Sequence, residues 1–216
     1  MRDTAPRAIS RATELRQQAD SVLAKSGICE VLSEMGSVEF VGSYALDLLV
    51  RPDIDIIVTS DLPERAAAVK ATKHILDQGY FQSVVFIDHS TFRKRLDAGM
   101  DAKGFYWHLD VPEFDFDQQW KVDVWYLEAQ QNWFHDRTNS FRDLLAANPA
   151  ARERILELKA HFLRGNGYAH GLKGGIICEA VLEHGLRTPE EIVSFAKMRE
   201  PPNKPDAGNP DVHRDA

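Results

Sequence analysis

Residues 38 to 58 read Val-Glu-Phe-Val-Gly-Ser-Tyr-Ala-Leu-Asp-Leu-Leu-Val-Arg-Pro-Asp-Ile-Asp-Ile-Ile-Val, and this stretch decides the architecture. Val38 to Val41 is a short apolar strand, Gly42-Ser43 a tight turn, and a short helical stretch leads to a second strand carrying Asp53 and Asp55. Strand side chains alternate between faces, so both carboxylates project from one side and Ile54 and Ile56 from the other. Their Cβ atoms then lie roughly 6.6 Å apart along the strand, a spacing at which two acids can converge on a hard divalent cation such as Mg²⁺. Gly42 lets the backbone turn sharply, and the amides after it open onto a place for a phosphate. A phosphate cradle beside a metal-binding acid pair suits phosphoryl or nucleotidyl transfer.

An Asp-x-Asp pair alone says little. The 33 acidic residues in 216 place roughly five acid-x-acid pairs by chance. Asp115-Phe116-Asp117 is one of these: no Gly-Ser turn precedes it and Pro112 stands beside it. Asp53-Ile54-Asp55 differs because it interrupts an apolar run, where an unpaired carboxylate is costly. The competing structural reading has Asp53 capping a turn after Pro52 and Asp55 facing solvent at a sheet edge.

Gly42-Ser43, nine intervening residues, then Asp53-Ile54-Asp55-Ile56 resembles the signature of the nucleotidyltransferase superfamily with the DNA polymerase β-like fold. The resemblance implies an α+β fold: a mixed sheet flanked by helices, with a C-terminal helical region. It also implies a third carboxylate on a later strand, and Asp123 in Trp-Lys-Val-Asp-Val-Trp-Tyr-Leu (120 to 127) matches that role. The bland alternative for Asp123 is an exposed acid paired with Lys121. The resemblance implies Asp53, Asp55 and Asp123 as catalytic metal ligands for Mg²⁺, two ions in all, with Gly42 and Ser43 at the nucleotide. A lysine from the C-terminal helices would meet the triphosphate, Lys173 first and Lys159 second. Arg51 adjoins the acids and could screen them.

The implied activity is transfer of a nucleoside monophosphate from a nucleoside triphosphate, ATP foremost, to a hydroxyl of a small molecule, as in the aminoglycoside- and lincosamide-modifying branches. Val-Gly-Ser-Tyr-Ala with Arg-Pro-Asp-Ile-Asp-Ile also resembles the GrpB-like branch. Superfamily members of toxin–antitoxin type act on protein or RNA, and a non-catalytic nucleotide-binding module is a further alternative. Net charge is −7, which argues against a general nucleic-acid binder and leans toward a small or cationic acceptor. Glu113, Asp115 and Asp117 could attract such a cation.

Hydrophobic residues make up 44% of the chain, enough for a proper core, and no apolar run reaches the length of a membrane span. Met1 to Pro6 carries no apolar signal region, so a cytoplasmic protein is expected. Cys29 and Cys178 read as thiols in a reducing compartment. A helical period covers residues 8 to 26 and stops at Gly27, with 28 to 35 a connector or helix end. Helix 60 to 78, capped by Ser60 or Asp61, strand 81 to 88, a charged short helix or loop over 91 to 97, and strands 105 to 111 and 120 to 127 follow. Helices then run from 132, broken near Asn148-Pro149, with a turn at Gly165 to Gly167, a helix at 172 to 184 and a last one after Thr188. The expected organisation is a catalytic core with its N-terminal helix over 1–130, a helical region over 131–199 and a disordered tail over 200–216. His108, His170 and the tryptophans read as ordinary packing or surface residues, one tryptophan being able to line a base pocket.

Overall fold

The computed structural model describes residues 5–90, 94–95, 101–113, 116, 118–131, 133–165 and 167–199. Asp115, Asp117 and the 200–216 tail lie outside the described residues.

The N-terminal period forms α1 (Ala5–Ser26), with Ala12, Leu15, Ala19 and Val22 fully buried along one stripe. The stretch after Gly27 is a helix of its own, α2 (Ile28–Ser33), because Ile28, Val31 and Leu32 all find buried positions. Then come β1 (Ser37–Val41), the short α3 (Gly42–Ala45) and β2 (Asp53–Ser60). Helix α4 (Arg65–Gln78) begins later than its sequence signals suggest. Pairing of Ser60 with Glu128 keeps the chain extended through Ser60, and the N-cap position falls at Glu64 rather than at Ser60 or Asp61.

Strands β3 (Ser83–Asp88), β4 (Lys94–Arg95), β5 (Asp101–Ala102), β6 (Gly104–Asp110) and β7 (Lys121–Glu128) follow, β4 and β5 forming a separate antiparallel pair. The described part of the charged 91–97 segment is therefore strand. The C-terminal helices are α5 (Trp133–Ala147), α6 (Ala150–Phe162), α7 (Gly174–Leu182) and α8 (Pro189–Arg199), with a small hairpin of β8 (Leu163–Arg164) and β9 (Gly167–Tyr168) after α6. Thr188 and Glu191 cap α8 reciprocally: Thr188 N donates to Glu191 Oε2 at 2.9 Å and Glu191 N to Thr188 Oγ1 at 3.3 Å.

The main sheet is mixed, in the order β1-β2-β7-β6-β3. β2 and β7 run parallel and every other neighbouring pair is antiparallel. One face carries Ile54, Ile56, Val58, Phe105, Trp107, Leu109, Val122 and Val124 into a core shared with α1, α2 and α4. A second core lies among α5, α6, α7 and α8, and the loop residues Leu46, Leu48 and Val50 insert into it. α1 serves both: Leu15, Ala19 and Val22 pack on the sheet side, Ala8 and Ala12 on the helical side.

Candidate active site

The opposite sheet face carries the acids. Across the parallel β2–β7 pair, Asp53 stands beside Lys121 and Asp55 beside Asp123. Register partners share a face, so alternation puts all four side chains together on the side away from the Ile54, Ile56, Val122 and Val124 core. One carboxylate oxygen from each of Asp53, Asp55 and Asp123 lies within 4.8 Å of the others. Hard oxygen ligands converging from two strands can hold a divalent cation.

Gly42 follows β1 directly, where Val41 pairs with Asp55. It sits at φ 63, and a Cβ placed there would come 2.8 Å from Asp55 Oδ2. Both the left-handed backbone and the close carboxylate require glycine. Gly42 N donates to Oγ1 of Thr138, a buried residue of α5, at 3.3 Å. Ser43 faces α6. Lys159 Nζ donates to Ser43 Oγ and to the Leu48 carbonyl, both at 2.7 Å. The Lys159 side chain is only 1% exposed, and burial pushes its ammonium below the usual lysine range. Lys173 is exposed, at the N-cap position of α7. The structure thus joins Gly42, Ser43 and Lys159, and sets Lys173 on the surface.

Cations and donors surround the acids. Arg51 pairs with Asp53 Oδ2. Lys121 Nζ lies 2.8 Å from Asp53 Oδ1 and hydrogen-bonds Asp123 Oδ2. Tyr106 donates its hydroxyl to Asp123 Oδ1 at 2.7 Å, and His108 Nδ1 lies 2.8 Å from the same oxygen. His108 Nε2 reaches Asp110 at 3.2 Å. Burial and the Asp53 charge push Asp55 up to about 8, against the pull of Lys121. Burial would raise Asp123 too, but Lys121, Tyr106 and His108 hold it below the usual carboxylate range. Burial alone would lower Lys121; Asp53 and Asp123 raise it instead.

His108 is therefore a partner of Asp123 rather than an ordinary residue. The Lys121–Asp123 pair of the bland reading exists, together with the acid cluster rather than in place of it. Thr138, Tyr106 and the second contact of Lys121 were missed because each depends on strand register or on a helix remote in sequence. A second acid group, Glu179, Glu183 and His184, also lies within 4.8 Å, but Arg137 and Arg199 both pair with Glu179, a structural brace between helices.

No family model and no curated protein sequence matches the chain. Solved structures do. The polymerase core of TRAMP, an RNA surveillance complex, superposes with a TM-score of 0.50 at 18% identity over 86% of this chain and 58% of that one. The STING-associated CdnE c-di-GMP synthase from Capnocytophaga granulosa gives 0.51 at 11% identity over 82% of this chain and 64% of that one. The fold is that of the polymerase β-like nucleotidyltransferases. The chain spans less than two thirds of the length of either polymerase-like structure. GrpB from Enterococcus faecalis also has similarity, with a TM-score of 0.44 at 17% identity over 80% of this chain and 93% of that one. The acid cluster lies at the Gly42 turn, which Thr138 of α5 and Lys159 of α6 reach from the C-terminal helices. No helix among the described residues is long and apolar enough to cross a membrane.

Proposed function

We propose that this chain is a Mg²⁺-dependent nucleotidyltransferase that moves a nucleoside monophosphate from a nucleoside triphosphate, ATP foremost, to a hydroxyl of a small acceptor, with release of pyrophosphate. The observation that carries the reading is the convergence of Asp53, Asp55 and Asp123 beside the Gly42-Ser43 turn. Lys159 adds to it. Its buried ammonium meets only two neutral oxygens, and no carboxylate among the described residues pairs with it. A lone buried cation costs on the order of several kcal/mol; a bound phosphate would offset that cost. Lys159 is accordingly preferred over Lys173 for the triphosphate, with Ser43 orienting the same phosphate.

In this reading Asp53, Asp55 and Asp123 would hold the metal, which would neutralise the charge of the triphosphate. Asp123, positioned by Tyr106 and His108, orients the acceptor hydroxyl and takes its proton. The freed oxygen forms a bond to the α-phosphorus as the α–β phosphoanhydride bond breaks and pyrophosphate leaves. A net charge of −7 disfavours tracking a nucleic-acid backbone and supports a small or cationic acceptor. Two free thiols suit a cytoplasmic protein.

The test is a thermal-shift panel of the four nucleoside triphosphates with and without Mg²⁺, followed by a pyrophosphate-release screen of hydroxyl acceptors. ATP with Mg²⁺ should stabilise the wild type, and Asp53→Ala with Asp55→Ala should abolish the shift. An unchanged shift in the double variant would remove this site from consideration.

A further inference from the structure

Lys121 opens β7 on the same face as the three acids, because its register partner is Asp53. Its Nζ lies 2.8 Å from Asp53 Oδ1 and hydrogen-bonds Asp123 Oδ2. These carboxylates come from different strands, and both belong to the group that converges within 4.8 Å. The chain thus places its own positive charge between two acids that a bound divalent cation would have to share. Their remaining oxygens are engaged as well: Arg51 holds Asp53 Oδ2, while Tyr106 and His108 hold Asp123 Oδ1. The Asp55 carboxylate differs: no described side chain hydrogen-bonds or ion-pairs with it.

We propose that Lys121 is a built-in counter-ion that competes with the divalent cation for Asp53 and Asp123. Metal then loads weakly onto the bare protein and fully only with the nucleoside triphosphate, whose phosphates receive the displaced ammonium. The inference rests on the metal-site reading given above. Its physical basis is charge. A divalent ion and an ammonium that share the same two carboxylates repel each other in a partly buried pocket. Lysine, a point charge on a flexible stem, can swing away without disturbing the strand. The triphosphate supplies the negative charge that makes the swing favourable. Lys121 is thus a positioning residue that couples metal binding to nucleotide binding.

Calorimetric titration of the full chain with Mn²⁺ tests this, alone and with an ATP analogue carrying a methylene between the α and β phosphorus atoms. Bare Lys121→Met should bind Mn²⁺ about tenfold more tightly than wild type, and Lys121→Arg should stay as weak as wild type. The gain in Mn²⁺ affinity that the analogue confers on wild type should shrink in Lys121→Met. If Met at this position fails to fold in EDTA, Lys121→Gln, which keeps a donor toward both acids, carries the same comparison. Mn²⁺ binding that depends on Asp53 but is no tighter in Lys121→Met or Lys121→Gln overturns this inference alone. Failure of Mn²⁺ to bind wild type and every variant, with or without the analogue, overturns the metal site and this inference with it.

Discussion

At the scale of single residues, the site balances charge within a small volume. Asp53, Asp55 and Asp123 face Arg51 and Lys121, and Asp55 is the acid whose ionisation suffers. Its carboxyl moves from the ordinary 3.8 to about 8 through burial and the charge of Asp53. Below the unfolded value the group is protonated in both states and has no effect. Between the two values the folded chain keeps a proton that the unfolded chain has released, so stability falls as pH rises. Above the folded value the full cost is present. In EDTA, Asp55→Asn should therefore melt higher than wild type by a margin that grows from pH 4 to pH 8, and Mg²⁺ should narrow it. A margin that is constant with pH would contradict the shift. Lys159 gives a different signature. Its ammonium is buried without an acid partner, so Lys159→Met should leave the melting temperature of the bare protein unchanged or raised. The same change should weaken Mg²⁺–ATP binding roughly thirtyfold or more, as truncating one partner of a buried charge pair does. Equal affinity in a nucleotide titration would remove Lys159 from the phosphate site.

At the scale of elements, the strand–turn–strand unit from Ser37 to Ser60 does most of the positioning. Gly42 both turns left-handed and leaves room for Asp55 Oδ2, which a Cβ would approach to 2.8 Å. Gly42→Ala should cost about 1–3 kcal/mol of stability and also weaken nucleotide and metal binding. Thr188→Ala, which removes the cap of α8, should cost about 1 kcal/mol and leave both affinities unchanged, separating damage at the site from loss of stability. Much of this unit was legible in the sequence. Alternation in β2 placed Asp53 and Asp55 on one face, and the apolar run around Asp123 marked a strand. Register was not legible: nothing in the local pattern says that Asp123 falls beside Asp55, or that His108 of β6 falls beside Asp123. The late start of α4 has the same origin, since ladder pairing with β7 keeps Ser60 extended and the N-cap position falls at Glu64. Lys159 and Thr138 reach the turn from helices whose packing only the tertiary fold decides.

At the scale of the whole molecule, α1 connects what the sequence divides. The sequence suggests a core over 1–130 and a helical region over 131–199, yet α1 buries Leu15, Ala19 and Val22 against the sheet and Ala8 and Ala12 against the C-terminal helices. It also clamps the turn at the site. Arg16 lies 4.1 Å from the Tyr44 ring centroid, its guanidinium donates to the Tyr44 carbonyl at 3.1 Å, and the Tyr44 hydroxyl donates to Asp20 at 2.7 Å. The hydrogen-bonded pair Ser43 and Lys159 joins the two cores as well, one from the turn and one from α6. The two halves should then melt together, because neither can lose its packing without loosening α1 and the turn. Leu15→Ala, in the sheet core, and Ile155→Ala, in the helical core, should each cost about 3 kcal/mol, lowering a single melting transition by about 6–12 °C. If Mg²⁺–ATP binds at this junction as proposed, it should restore part of that loss in both variants, because a ligand of the native state stabilises it. Calorimetry decides the matter. Two separate transitions in Ile155→Ala, with only the upper one moved by nucleotide, would mean that the helical region folds apart from the sheet and that α1 is no bridge.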